Sequence, residues 1–246
     1  MMSPAETGWA VPRALVHGEL EVLGAMSNSS NHTFLVKAGA DETPNEPDLL
    51  AIYKPKRGES PLWDFPDGTL CRREVAAFVV AAELGWPNVP PTVLREGPFG
   101  IGSVQLFIEF DAEHHYFTLE RTYPEEFRKV AAFDLIVNNA DRKAGHCLLG
   151  AGNKVWIIDH GVCFNEEPKL RTVIWEFVGE PIPSDLQADM NRLRRGLAEH
   201  QEIRTKLTEL LSADEIEAMS ERLDLISREG QFPEPGEGRP FPWPPI

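Results

Sequence analysis

The chain has 246 residues, with 39 Asp and Glu against 24 Lys and Arg, for a net charge of -15. That length makes one or two domains and buries roughly three-quarters of the unfolded surface, and 42% hydrophobic with 26% charged residues is a globular composition. The acidic excess works against nucleic acid, whose phosphates need a basic face, and against stable association with an anionic membrane. Small anionic ligands stay open wherever a few basic groups converge.

Cys71, Cys147 and Cys163 are odd in number and far apart, with no metal-binding spacing. They predict reduced thiols and a cytoplasmic location. The first residues, MMSPAETGWAVPR, lack the basic and apolar regions of a signal peptide. No apolar run approaches the ~18 residues of a membrane span.

Residues 14–55 read as extended. Leu20 and Val22 lie two apart, and the short runs FLVK and LLAIY are bounded by turn residues. Residues 38–48 form a polar turn, and 56–71 an irregular insert. Residues 72–85 predict a helix with Val75, Phe78, Val79 and Ala82 on one face, stopped by Gly85 and Pro87. Strands are expected at 91–95 and 103–110. Residues 125–139 have helical spacing, and VWIID (155–159) reads as a buried strand. From 183 to 227 the chain is helix-prone and breaks before SADE, where Ser212 at N-cap and Glu215 at N3 make a capping box. The tail from 231 to 246 has six prolines in 16 residues and reads as an extended surface segment with Trp243 as an anchor.

The order of elements predicts an α+β, two-lobed, kinase-like fold with a β-rich N-terminal lobe and a helical C-terminal lobe. The boundaries fall at 1–111 for the first lobe, 112–230 for the second and 231–246 for the tail. A cleft between two lobes is where ligands often bind.

Four features carry chemistry. The loop GAMSNSSN (24–31) is small and polar. Its Ser27, Ser29 and Ser30 can line a phosphate nest, or the loop is an ordinary hairpin turn. Lys54 ends a strand and gains meaning only with a carboxylate partner, for which Glu74 is the candidate. Otherwise Lys54 is a surface lysine and Glu74 a helix N-terminal acid. In NNADRKAGH (138–146), Asp141 and Arg142 expose a carboxylate and a guanidinium beside a helix end, and Asp141 can orient or deprotonate a hydroxyl. Asp159 ends an apolar strand and is a hard-oxygen ligand for Mg²⁺. Lys54, Glu74, Asp141 and Asp159 together are the set a phosphoryl-transfer site needs. Lys56 and Arg57 read equally as phosphate contacts or as a solvated pair. Asp134, inside an apolar helix face, needs a buried partner. His114 and His115 form no complete ligand set.

YKPKRGE (53–59), REVAAFVVAAELG (73–85), FDLIVNNADRK (133–143) and IIDHGVCF (157–164) resemble the phosphatidylinositol 3-/4-kinase-like family, most of all type II phosphatidylinositol 4-kinases and their bacterial relatives. The resemblance implies ATP and Mg²⁺ (or Mn²⁺) as cofactors. It implies Lys54 as the ATP lysine with Glu74 as its partner, Asp141 as the catalytic-loop acid and Asp159 as the metal-binding acid. LFIEF (106–110), with Glu109, would lead into a hinge whose backbone pairs with adenine. The family pattern has an Asn about five residues after the loop Asp, where this chain has His146. Imidazole suits Mn²⁺ or Zn²⁺ better than Mg²⁺, so His146 stands as a metal candidate, a phosphate donor or a mark of lost activity.

The expected function is ATP-dependent phosphoryl transfer to a small-molecule or protein hydroxyl rather than a membrane lipid. The alternative is a pseudokinase, a nucleotide-binding or scaffolding module without turnover. Trp63 and Phe65 are the one aromatic pair that could enter a lipid surface.

Overall fold

The structure is a computed structural model and describes residues 10–26, 31–39, 48–199 and 201–246. The chain divides into two compact units. One holds residues up to Phe78 together with Pro90–Ile108; the other holds Val79–Val89 and Glu109–Ile246. The α+β, two-lobed, kinase-like architecture is as the sequence predicts.

The first unit opens with a short helix, α1 (Arg13–His17), which the extended reading of this stretch does not anticipate. Five antiparallel strands follow: β1 (Leu20–Ala25), β2 (Phe34–Ala38), β3 (Leu49–Pro55), β4 (Thr92–Gly97) and β5 (Gly100–Leu106), ordered β1-β2-β3-β5-β4. Leu15, Leu20, Val36, Ala38, Ala51, Tyr53 and Val104 pack into one apolar cluster. β1 lies at the sheet edge, and its register with β2 shifts between Val22 and Gly24. It buries only Leu20, and Val22 is exposed, so the period-2 pattern there does not mark a core face. The last expected strand stops at Leu106, short of 110.

Gly102 holds β5 against β3. A Cβ there would come within 2.5 Å of the Lys54 carbonyl and 2.7 Å of Pro55 Cα. Gly102 pairs with Pro55, beside the Lys54–Ser103 pair, and only glycine lets the two backbones approach there.

α2 (Leu70–Leu84) is longer than expected and ends at Gly85, whose φ of +82° suits glycine. The proposed apolar face is corrected. Val79 and Ala82 are half-buried, while Ala76, Ala77, Val80 and Ala81 are buried. The buried surface of α2 is thus wider than one apolar stripe.

The second unit contains α3 (Tyr116–Leu119), α4 (Pro124–Val137), the hairpin β6 (Cys147–Gly150) and β7 (Lys154–Ile157), then α5 (Ser184–Ala198), α6 (Glu202–Thr208) and α7 (Ala213–Glu229). The capping box at α7 forms as predicted. Glu215 N–H donates to Ser212 Oγ at 3.1 Å, and Ser212 N–H donates to Glu215 Oε2 at 2.8 Å. Ser212→Ala should therefore cost about 1 kcal/mol in denaturant unfolding. A loss under a few tenths of a kcal/mol would show that packing alone holds this end.

The tail is extended, but Trp243 is not its anchor, being 74% exposed. Phe232 is buried, and the carbonyls of Pro240 and Pro245 accept from Thr172 and Ala144 N–H. Main-chain bonds and Phe232 fasten the segment. Trp63 is 91% exposed but Phe65 is buried, so the expected exposed aromatic pair does not exist.

Candidate functional site

In the first unit, Lys54 Nζ and Glu74 form an ion pair. β3 carries the lysine near its C-terminal end, and α2 carries the glutamate in its second turn. The Glu74 side chain is almost wholly buried and that of Lys54 is partly exposed. A carboxylate removed from water needs a fixed cation, so the pair holds the lysine head in one place. Ser27, Ser29 and Ser30 lie outside the described residues. The flanks of their loop are tied down: Met26 N–H donates to the Thr33 carbonyl, His32 N–H to the Gly58 carbonyl, and Ser60 N–H to Asn31 Oδ1. Glu109 is exposed, at the point where the chain passes from one unit to the other.

In the second unit the acidic loop is built on the end of α4. Asn138 caps this helix in the left-handed region, at φ 51° and ψ 55°, a conformation Asn tolerates. Its side chain bonds three partners: it donates to the carbonyls of Asn165 and Glu167 and accepts from Lys169 N–H. Asn139 donates to Asp134 Oδ1 at 3.0 Å and accepts the Asp141 N–H at 3.0 Å. The two asparagines thus brace the loop as well as ending the helix.

Arg142, expected to be exposed, is fully buried. Its Nε donates to Asp134 Oδ2 at 2.9 Å and its Nη2 to Asp134 Oδ1 at 3.0 Å, a forked pair. This is the buried partner Asp134 requires. Arg142 Nη1 donates to the Ile158 carbonyl at 2.9 Å, and Nη2 donates to His160 Nε2 at 2.8 Å. One guanidinium therefore grips the residues on both sides of Asp159. Asp159 itself makes the turn, with φ 63°.

Asp141 and Asp159 are electrostatic neighbours. Burial pushes the Asp141 carboxyl above its usual range; Lys143, with Nζ 3.3 Å from Oδ2, opposes that, and Asp159 adds to it. His146 Nε2 lies 3.2 Å from Asp159 Oδ2, and its Nδ1 accepts the Lys143 N–H at 3.4 Å. With Nδ1 accepting, Nε2 carries the proton and donates to Asp159. Among the described residues no three His, Cys, Asp or Glu side chains converge as a metal cluster. A Mg²⁺ site that borrows oxygens from substrate phosphates needs only one or two carboxylates. The half-exposed Asp159 carboxylate fits that requirement. His114 and His115 are half-buried near the start of α3.

Sequence reasoning missed the Arg142 hub and the braces from Asn138 and Asn139. The signal available was Asp134, a carboxylate on an apolar helix face eight residues before an arginine.

A five-stranded antiparallel sheet whose lysine is paired from a helix, followed by a helical unit with a buttressed acidic loop, defines a two-lobed kinase-like protein. No family model matches the sequence. The chain is 36% identical to Protein Rv2133c of Mycobacterium tuberculosis over 265 aligned positions, 94% of this chain and 93% of that one, and it belongs to that protein's family. It is 32% identical to Phosphatidylinositol 4-kinase gamma 4 of rice (Oryza sativa subsp. japonica) over 123 positions, and 32% identical to that of Arabidopsis thaliana over 129. Each match spans 42% of this chain but only 22% and 23% of the plant proteins' length. The crystal structure of the Helicobacter pylori proinflammatory kinase CtkA superposes with a TM-score of 0.54 over 87% of this chain and 93% of that one, at 13% identity. At that identity the likeness is one of fold.

Proposed function

We propose that the chain is an ATP-dependent phosphotransferase acting on a small-molecule or protein hydroxyl. The Lys54–Glu74 pair carries the proposal: the buried carboxylate fixes a partly exposed lysine head, which leaves the ammonium placed to meet a second anion. Lys54 would hold nucleotide phosphates. Asp141 would accept or orient the acceptor hydroxyl, and its raised pKa moves it toward the range of a general base. Asp159 would hold a divalent cation, which when bound neutralises phosphate charge. His146 would serve that cation through its bond to Asp159. The net charge of -15 favours a soluble acceptor over an anionic lipid surface.

A second reading rests on His146. Its proton is committed to Asp159, at the position where the family pattern has an Asn metal ligand. That favours a pseudokinase that binds nucleotide without turnover.

The test uses the full chain with labelled ATP and Mg²⁺ or Mn²⁺. Ligand at about a hundredfold excess over Kd should stabilise the fold by about 2.7 kcal/mol, and Lys54→Met should abolish the shift. Phosphoryl transfer that vanishes in Asp159→Ala supports the enzyme. Stabilisation without turnover selects the pseudokinase, and turnover unchanged in Asp159→Ala refutes the cation role.

A further inference from the structure

A cavity of about 490 Å³ lies in the first unit, and neither Lys54 nor Glu74 lines it. Its size falls in the range of small-molecule sites. Most of its wall is apolar: Leu62, Phe65 and Leu70 with Phe99 from the β4–β5 turn and Ile101 from β5. Leu62, Phe99 and Ile101 are each more than a third exposed, which leaves apolar surface facing water.

The charges around it are unusual for so acidic a chain. Lys56 and Arg57 line the cavity, and neither makes a salt bridge to a carboxylate among the described residues. The Lys56 stem lies across Gly68, where a Cβ would come within 2.2 Å of Lys56 Cε. Behind the wall the buried Arg73 guanidinium sits 4.8 Å from the centroid of the Phe65 ring and donates to Thr69 Oγ1 at 3.3 Å. Two carboxylates also line the space, Glu59 and Asp67. Glu59 is committed, since its two oxygens accept Leu70 N–H at 3.1 Å and Cys71 N–H at 2.8 Å. It satisfies the helix end, so two of the orphan donors of α2 are already used. The lining thus carries two cations and two carboxylates, with the Glu59 oxygens bonded to the helix end.

We propose that this cavity is a binding site for a small amphipathic anion, with an apolar body against Phe65, Phe99 and Ile101 and a carboxylate or phosphate head at Lys56 and Arg57. Apolar burial supplies the affinity, and the two cations select an anion over its neutral analogue. The site is also placed to report on the lysine. Leu70 is both a cavity wall and the first residue of the helix that carries Glu74 one turn later, and Lys56 lies two residues after Lys54. A ligand that orders the Glu59–Leu70 junction would order the helix that positions Glu74.

The experiment is calorimetric titration of the full chain with octanoate, octyl phosphate and octanol, with no nucleotide present, so its outcome is independent of the phosphotransferase reading. Saturable one-to-one binding of at least one anion is expected, with octanol at least tenfold weaker. The tighter anion identifies the head group. Arg57→Glu, a surface change, should weaken the anion tenfold or more, and Ile101→Glu should abolish binding. Hydrogen exchange at the Leu70 and Cys71 amides should slow in the bound state. Failure of both anions to bind, equal binding of octanol, or binding indifferent to Arg57→Glu overturns the proposal.

Discussion

On the proposed phosphotransferase activity, Asp141→Asn should lower phosphoryl transfer by about 10²- to 10⁴-fold, the range of a positioned acid–base group, and leave nucleotide-dependent stabilisation in place. The reasoning is local. Asn is isosteric and keeps the turn, because the Asp141 contact with Asn139 runs through its main-chain N–H. What is lost is a carboxylate that burial already makes more basic than usual. Lys143 stays in either variant, so the loop keeps its cation. Single-turnover rates with saturating ATP measure the chemical step. A loss under tenfold, in a wild-type background that turns over, would assign the acid role to another group. Asp141→Asn that also abolishes the thermal shift would make Asp141 a nucleotide-binding residue instead.

Arg142→Ala costs about 3–5 kcal/mol, because it leaves the Asp134 carboxylate buried and unpaired. Both side chains are wholly inaccessible, so no solvent screening softens the loss. Arg142→Lys recovers little, since one ammonium cannot replace a fork that reaches Asp134, Ile158 and His160 at once. Asp134→Leu combined with Arg142→Met should be far less destabilised than Arg142→Ala, because replacing both charges removes the uncompensated ion. Urea unfolding of the full chain measures all three. An Arg142→Ala loss below about 1 kcal/mol would mean that water reaches Asp134.

Much of the architecture was legible because periodicity and punctuation are local. The capping box before α7 and the glycine stop after α2 need only neighbouring residues, and both formed as read. Lys54 and Glu74 lie 20 residues apart; strand-end lysine and helix acid make them candidates, and the family resemblance makes them a pair. The failures share a cause. Period tells which residues share a side of a helix but not what covers the other side, so the sequence marks Val79 and Ala82 as core while Ala76, Ala77, Val80 and Ala81 are buried. Arg142 was read as exposed because arginine usually is; only a carboxylate already buried next door reverses that. Trp243 was read as an anchor by its size, while the tail is held by main-chain carbonyls that no composition reveals. Phe65 and Trp63 look alike in sequence. The guanidinium of Arg73 under Phe65 separates them.

The Asn138 brace bears on how the acidic loop comes into being. Its side chain joins α4 to residues 27 to 31 positions further along. Closing a loop of that size costs chain entropy that no local bond repays. Arg142 closes a second, shorter loop of 16 residues to Ile158. Each closure helps the other, since both draw the same stretch of chain against the end of one helix. Asp141 and Asp159 thus sit inside one cooperative unit. Loss of either closure should therefore loosen both the loop that carries Asp141 and the turn at Asp159.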